Sequence, residues 1–262
     1  GQGDTNAENA AEKIVLSVED YNVTFDREIM EHVSFALRAG DKVAIVGPNG
    51  TGKTTLLRDI IKEESPAICL SENVKMAYLS QMHGEVFDEK ATVLKNFEDA
   101  GFDTDDQVIA YLKTYGFEEE LIYSPVCDLS GGEKNLLQLA KISRTGAGLL
   151  LLDEPTSHLD TYSQLALEQA VEKYNGTVLM VSHDFYTVAN CMDYVLLTED
   201  KGLRKVSMRK FRKMIYADHF DKDYLEYEQK KKELENRIAF ALQAGKYEDA
   251  KKISEELEKL LQ

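Results

Sequence analysis

The sequence predicts an α/β fold built on a parallel sheet, with a small helical subdomain and a C-terminal α-helical hairpin. Three observations predict it. Short apolar runs recur through the first two hundred or so of the 262 residues, each of the length of a strand buried on both faces. Stretches with apolar residues at helical spacing lie between them, and strands alternating with helices build parallel sheets. The alternation fades after about residue 216, where a charged, helix-forming segment begins.

Residues 1–13, "GQGDTNAENAAEK", are small and polar and read as a flexible lead-in, tag or linker. The strand candidates are "KIVLSV", "KVAIV", "VKMAYL", "GLLLLD", "TVLMVSH" and "DYVLL". The helix candidates are "TTLLRDIIKEE", "GGEKNLLQLAKISR" and "DTYSQLALEQAVEKY". These give a main domain over 14–216, with the helical subdomain at about 85–140. Over 217–262, Leu234, Ile238 and Leu242 fall four apart, and Ile253, Leu257 and Leu260 fall four and three apart. "QAGKY" separates them with a glycine, so two antiparallel helices are expected. No internal repeat is present.

A hydrophobic share of 43% fits a packed core, and the formal net charge of −16 argues against a surface that grips nucleic acid all over. A local basic patch remains compatible with that charge. No apolar run approaches the ~18 to 20 residues of a membrane span. No charged-then-apolar signal opens the sequence, so a cytoplasmic setting is expected. Cys69, Cys127 and Cys191 lie far apart without metal-type spacing and read as reduced structural thiols.

The stretch "GPNGTGKTT", Gly47–Thr55, follows the run "KVAIV" and fits G-x-x-x-x-G-K-[ST]. Gly47, Gly52, Lys53 and Thr54 hold the fixed positions, Pro48, Asn49, Gly50 and Thr51 fill the loop, and Thr55 follows. Glycines let the backbone curl until its amides point at a phosphate chain, and the helix start adds its positive dipole end. Lys53 can reach the β- and γ-phosphates, and the Thr54 hydroxyl can hold Mg²⁺. Downstream, "GLLLLDEP" sets Asp153 where a buried strand emerges at the carboxyl edge of the sheet. Asp153 would bind Mg²⁺ through a water, and Glu154 can face the water that attacks the γ-phosphate. "LSGGE", Leu129, Ser130, Gly131, Gly132 and Glu133, offers a hydroxyl and glycine amides at a second helix start, another anion-binding design. One chain needs one such cradle per nucleotide. A head-to-tail pair of chains uses both, the second cradle closing on the partner's γ-phosphate.

With "GPNGTGKT" upstream and "LLLLDEPTSHLD" downstream of "LSGGE", the chain resembles the ATP-binding cassette family over about residues 14–205. The resemblance implies ATP and Mg²⁺ as cofactors, and ATP hydrolysis that opens and closes a cassette dimer. It implies that Gln81 senses Mg²⁺ and the attacking water, which gives a metal set of Thr54, Gln81 and Asp153. It implies that His183 contacts the γ-phosphate, so that the catalytic set is Glu154, His183 and Gln81. It assigns Asp160 to communication across the dimer and Phe25 to stacking on adenine, with nearby Tyr21 as the alternative. His158 reads as loop structure, and His32, His83 and His219 read as surface residues. The partner is a second cassette, either another copy or the missing half of a longer chain.

Two destinations fit this resemblance. One is the ABC-F branch, in which two cassettes on one polypeptide act on the ribosome as translation factors or in antibiotic-resistance ribosomal protection. The other is the ATP-binding subunit of a membrane transporter. The 48 residues between Gln81 and Ser130 are short for a transporter cassette, and "LSGGEK", "DEPTSHLD" and "EQAVEKYNGTVLMVSHD" are similar to ABC-F wording. The departures are Ser157 where asparagine is usual, Phe185 where arginine is usual, and Asn135 and Leu136 where an arginine usually follows the signature loop. The hairpin is then a C-terminal extension or the start of an inter-cassette linker. The basic run "LRKVSMRKFRK", with Arg204, Lys205, Arg209, Lys210, Arg212 and Lys213, is a candidate contact for RNA phosphates or an ordinary solvated face.

Overall fold

The computed structural model describes residues 13–25, 27–216 and 222–262. Its strands are β1 (Ile14–Phe25), β2 (Arg27–Arg38), β3 (Lys42–Val46), β4 (Ile68–Leu70), β5 (Met76–Tyr78), β6 (Leu149–Asp153), β7 (Thr177–Ser182), β8 (Tyr194–Glu199) and β9 (Gly202–Ser207). The helices are α1 (Lys53–Lys62), α2 (Val93–Asn96), α3 (Asp105–Lys113), α4 (Glu119–Ile122) and α5 (Gly131–Ile142). They continue with α6 (Thr161–Glu172), α7 (Phe185–Cys191), α8 (Met208–Tyr216), α9 (Lys222–Gln243) and α10 (Tyr247–Leu261). The chain forms two compact units. The first holds the described residues to Leu79 together with Gly146–Pro155 and Tyr174–Ile215, and the second holds Ser80–Thr145, Thr156–Lys173 and the described residues from Tyr216.

The first unit contains a six-stranded sheet in the order β5-β6-β7-β3-β8-β9. Its pairs are parallel except β8 with β9, which is antiparallel. Val43–Val46, Leu149–Leu152 and Val178–Val181 are buried on both faces, which is why these strands read as continuous apolar runs. A second, antiparallel sheet has the order β2-β1-β4. Leu16, Val18 and Met30 from it share one core with Val43, Ile45, Leu151 and Leu179, and with Leu56 and Ile60 of α1.

Three strands, β2, β4 and β9, have no counterpart among the strand candidates. In β2, Met30, Val33 and Leu37 are buried, but the period-two pattern is interrupted by register shifts against β1 and by a left-handed His32, φ 51°. β4 is three residues long, and β9 carries part of the basic run.

The second unit is helical. Phe97, Leu112, Ile122 and Leu137 share one core with Leu234, Ile238 and Leu257 of α9 and α10, which turn at Gly245, φ 72°. The hairpin is therefore an integral part of this unit's core. His32 is exposed, as expected, but His83 is half-buried with its Nε2 2.6 Å from Asn135 Oδ1, so it is not a free surface histidine. His219 lies outside the described residues.

Candidate active site

Strand register gathers the site in the first unit. β7 lies between β6 and β3, with Asp153 paired to Val181 and Val46 paired to Ser182. The residues that follow these pairs, Gly47, Glu154 and His183, emerge side by side at the carboxyl edge of adjacent strands.

The loop from Gly47 leads into α1 through two left-handed glycines, Gly50 at φ 82° and Gly52 at φ 90°. Gly47 is needed for a different reason: a Cβ there would overlap the side chain of Thr198 at the end of β8. Thr51 Oγ1 donates to Pro48 O across the loop at 2.8 Å. Gly52 is the N-cap of α1 and provides no side-chain cap, which leaves the first amides of the helix for a ligand. Lys53 is buried at 4% exposure and its Nζ donates to Gly47 O at 2.5 Å and Pro48 O at 2.8 Å. Burial pushes its pKa below the usual lysine value, while Glu154 and Asp153 hold it up in part.

Glu154 is half-buried and takes a left-handed backbone, φ 47°. Its amide donates to Val181 O at 2.9 Å, and its Oε1 lies 2.9 Å from His183 Nδ1. Burial and then the neighbouring Glu154 charge raise the Asp153 pKa, and a hydrogen bond with Thr54 opposes the rise. A hydroxyl and two crowded carboxylates form a hard oxygen donor set, which fits a divalent cation of the Mg²⁺ type. Thr54 and Asp153 are the residues that would hold it. Among the described residues no cluster of three or more His, Cys, Asp or Glu is placed to hold a metal alone, so phosphates and water would complete such a site.

Gln81, the loop Leu129–Glu133 and Asp160 belong to the second unit. Gln81 is exposed at a bend. Ser130 caps α5, its Oγ accepting from Glu133 N at 3.1 Å while Glu133 Oε1 accepts from Ser130 N at 2.9 Å. This capping box also accounts for the sequence as an ordinary helix start. It leaves the Ser130 O–H and the Gly131 and Gly132 amides as donors. Gly132 packs so closely on Ser163 that a Cβ would overlap it, and Ser163 N donates to Asp160 Oδ1 at 2.7 Å. The signature loop and Asp160 are thus neighbours.

The side chain of Phe25 lies outside the described residues. Tyr21, the alternative for adenine stacking, is 2% exposed and its hydroxyl donates to Asp59, so its ring is committed to the core. Sequence reasoning missed three residues at the site. Arg58, whose charge opposes the rise in the Asp153 pKa, sits one helical turn after Thr54, so its spacing was a usable signal. Tyr78, whose pKa is raised by burial and by Asp153, comes from neighbouring β5. Thr198 is distant in sequence and carries no motif. Its buried Oγ1 has no hydrogen-bond partner among the described residues.

A protein-family model described as "ABC transporter" matches residues 30–157. The chain is 38% identical over 192 residues to "ABC transporter F family member 5" of Arabidopsis thaliana, covering 71% of this chain and 28% of that protein. It is 34% identical over 198 residues to "Ribosome protection protein VmlR" of Bacillus subtilis (strain 168), covering 74% of this chain and 36% of that protein. The chain therefore spans about a third of the length of these relatives. Among solved structures, the fold is similar to "An inward-facing conformation of a putative metal-chelate type ABC transporter", with TM-score 0.60, 25% identity, and 75% and 84% of the two chains covered. The phosphate loop ahead of α1, the signature loop ahead of α5 and the acidic pair after β6 all lie within the matched residues 30–157, and this chain carries an ATPase domain of the ATP-binding cassette family, similar in sequence to that family's F members.

Proposed function

We propose that this chain is one cassette of an ABC-F protein that binds ATP and Mg²⁺, closes head to tail on a second cassette, and acts on the ribosome. The observation that carries the chemistry is the Glu154–His183 pair beside an uncapped helix start. Lys53 would leave the loop carbonyls for the β- and γ-phosphates. Glu154, oriented by His183, would hold and deprotonate the attacking water. Thr54 and Asp153 would hold Mg²⁺, which would supply charge neutralisation for the phosphates. Gln81 would complete the catalytic set, and Ser130 with the Gly131 and Gly132 amides would serve the partner's γ-phosphate.

The ribosome reading is supported by the similarity to the Bacillus ribosome protection protein and by α8. Of the six basic residues in that region, Arg204 pairs with Glu199, Lys205 lies 4.3 Å from the centre of the Tyr194 ring, and Arg212 donates to Ala189 O at 2.8 Å. Arg209, Lys210 and Lys213 are exposed on one face of α8 with no side-chain partner among the described residues. The competing reading, a transporter's ATP-binding subunit, is supported by the solved transporter structure of similar fold. Among the described residues no helix is long and apolar enough to cross a membrane.

The test is co-sedimentation of the full-length protein with ribosomes, with Glu154→Gln to hold ATP uncleaved. Nucleotide binding without turnover, and ATP-dependent sedimentation with ribosomes, are expected. Turnover at the wild-type rate would remove Glu154 from its role. Failure to sediment at low salt, with co-purification of a membrane protein, would favour the transporter reading.

A further inference from the structure

Helix α5 buries two polar side chains in an otherwise apolar surface. Asn135 is 2% exposed and Gln138 is 1% exposed, among Leu136, Leu137, Leu139 and Ala140. They are three apart and so share one helix face. Both are spent on the segment 80–83. Gln138 Oε1 accepts from Ser80 N at 2.6 Å, and its Nε2 donates to Ser80 O at 2.9 Å. One side chain therefore holds both backbone groups of a single residue, as a neighbouring strand would. The held carbonyl belongs to the peptide that leads into Gln81. At the far end, His83 Nε2 lies 2.6 Å from Asn135 Oδ1, a pairing that requires the Nε2-protonated ring because the amide oxygen only accepts. Met82 N donates to Ser80 Oγ at 3.0 Å within the segment. Gln81 lies between the two anchors and is exposed. The chain enters the second unit between Leu79 and Ser80, so the first residue after the crossing is the one held.

We infer that Gln138, seconded by Asn135 and His83, is a positioning residue for ATP hydrolysis, presenting Gln81 in one orientation by fixing the backbone on both sides of it. The inference rests on the reading of Gln81 as a residue that meets the metal-bound water. An amide with that task gains rate from being held in place before the reaction, and a displacement of the order of 1 Å lowers turnover while leaving nucleotide affinity nearly untouched. A buried glutamine that served packing alone would show the reverse pattern.

The experiment is a double-mutant cycle on the Mg²⁺-dependent ATPase of the full-length protein, with kcat and KM measured separately. Gln138→Met keeps the side-chain length and removes both hydrogen bonds. The expected result is a kcat lower by about tenfold with KM for ATP within about twofold, and no further loss when Gln138→Met is added to Gln81→Ala. A lowered melting temperature with unchanged kcat, or losses that multiply in the double variant, would overturn the inference and leave Gln138 a packing residue. An unchanged kcat for Gln81→Ala alone would show instead that the role of Gln81 is misread, and the positioning role falls with it. Should Gln138→Met fail to fold, His83→Ala carries the same cycle from the half-buried end, with His83→Gln, which keeps a donor, expected to restore kcat.

Discussion

Glu154 holds a left-handed backbone conformation, φ 47°, that an L-residue avoids unless its surroundings impose it. Here the bond to Val181 O and the pairing with His183 impose it, so the acid is aimed before any ligand arrives. Its neighbour Asp153 is in the opposite condition, since burial and the Glu154 charge both disfavour its ionised form. A folded-state pKa above the unfolded value means that Asp153 weighs against the fold as pH rises through that window and at all higher pH. Asp153→Asn should therefore raise the melting temperature of the nucleotide-free protein at pH 7, by about 2–4 °C per kcal/mol relieved, with the gap closing near pH 3. The same substitution should shrink the stabilisation given by added Mg²⁺, and thermal melts over a pH and Mg²⁺ series measure both. At this scale the phosphate loop and the acidic pair were legible because backbone shape and strand ends dictate residue type locally. Thr198 was not, because only the tertiary path brings it onto Gly47.

Within the elements, the two glycines of the signature loop carry different burdens. A Cβ on Gly132 overlaps Ser163, while one on Gly131 meets nothing within 4 Å. Gly132→Ala should destabilise the protein by about 1–3 kcal/mol, the usual cost of overpacking. Gly131→Ala should melt within about 0.5 kcal/mol of wild type. If Gly131 serves a partner's phosphate, that variant should still lose ATP-driven dimerisation in the Glu154→Gln background, which sedimentation velocity would show. The buried parallel strands were readable as apolar runs, and the helices as periodic ones. β2 was not, because its alternation is broken at the irregular pairing around His32, and a three-residue β4 leaves no period to read. Phe185, one of the departures noted in the sequence, packs edge-on against Phe211 at 5.7 Å. Asn135, another, holds His83.

At the scale of the molecule, a formal charge of −16 makes any cationic face a local matter. Reversing Arg209, Lys210 and Lys213 to Glu should weaken ribosome association and flatten its salt dependence by up to about three contacts' worth of slope. ATPase activity of the free protein should survive, since α8 contributes no residue to the phosphate loop or the acidic pair. Ribosome binding indifferent to the reversal would move the contact surface elsewhere. The helical hairpin offers a second prediction. Leu257 is 1% exposed in the same core as Phe97 and Leu112. Leu257→Ala should cost about 2–5 kcal/mol in chemical denaturation, far more than a solvated appendage would register. The hairpin's two helices were plain in the sequence, but which core they join was not, since periodicity shows a buried face and never its partner.

The second unit is assembled from three separate stretches of chain, Ser80–Thr145, Thr156–Lys173 and the residues from Tyr216, with returns to the first unit between them. The last stretch is contiguous in the gene, so an exchange confined to it replaces it as one piece. Exchanging the whole unit would need several breakpoints at once, and moving the hairpin alone would separate Leu234, Ile238 and Leu257 from the residues with which they share a core. A chimaera between related genes joined near residue 216 should fold only when its donor's hairpin matches the recipient's α6, on which both hairpin helices pack, in side-chain volume.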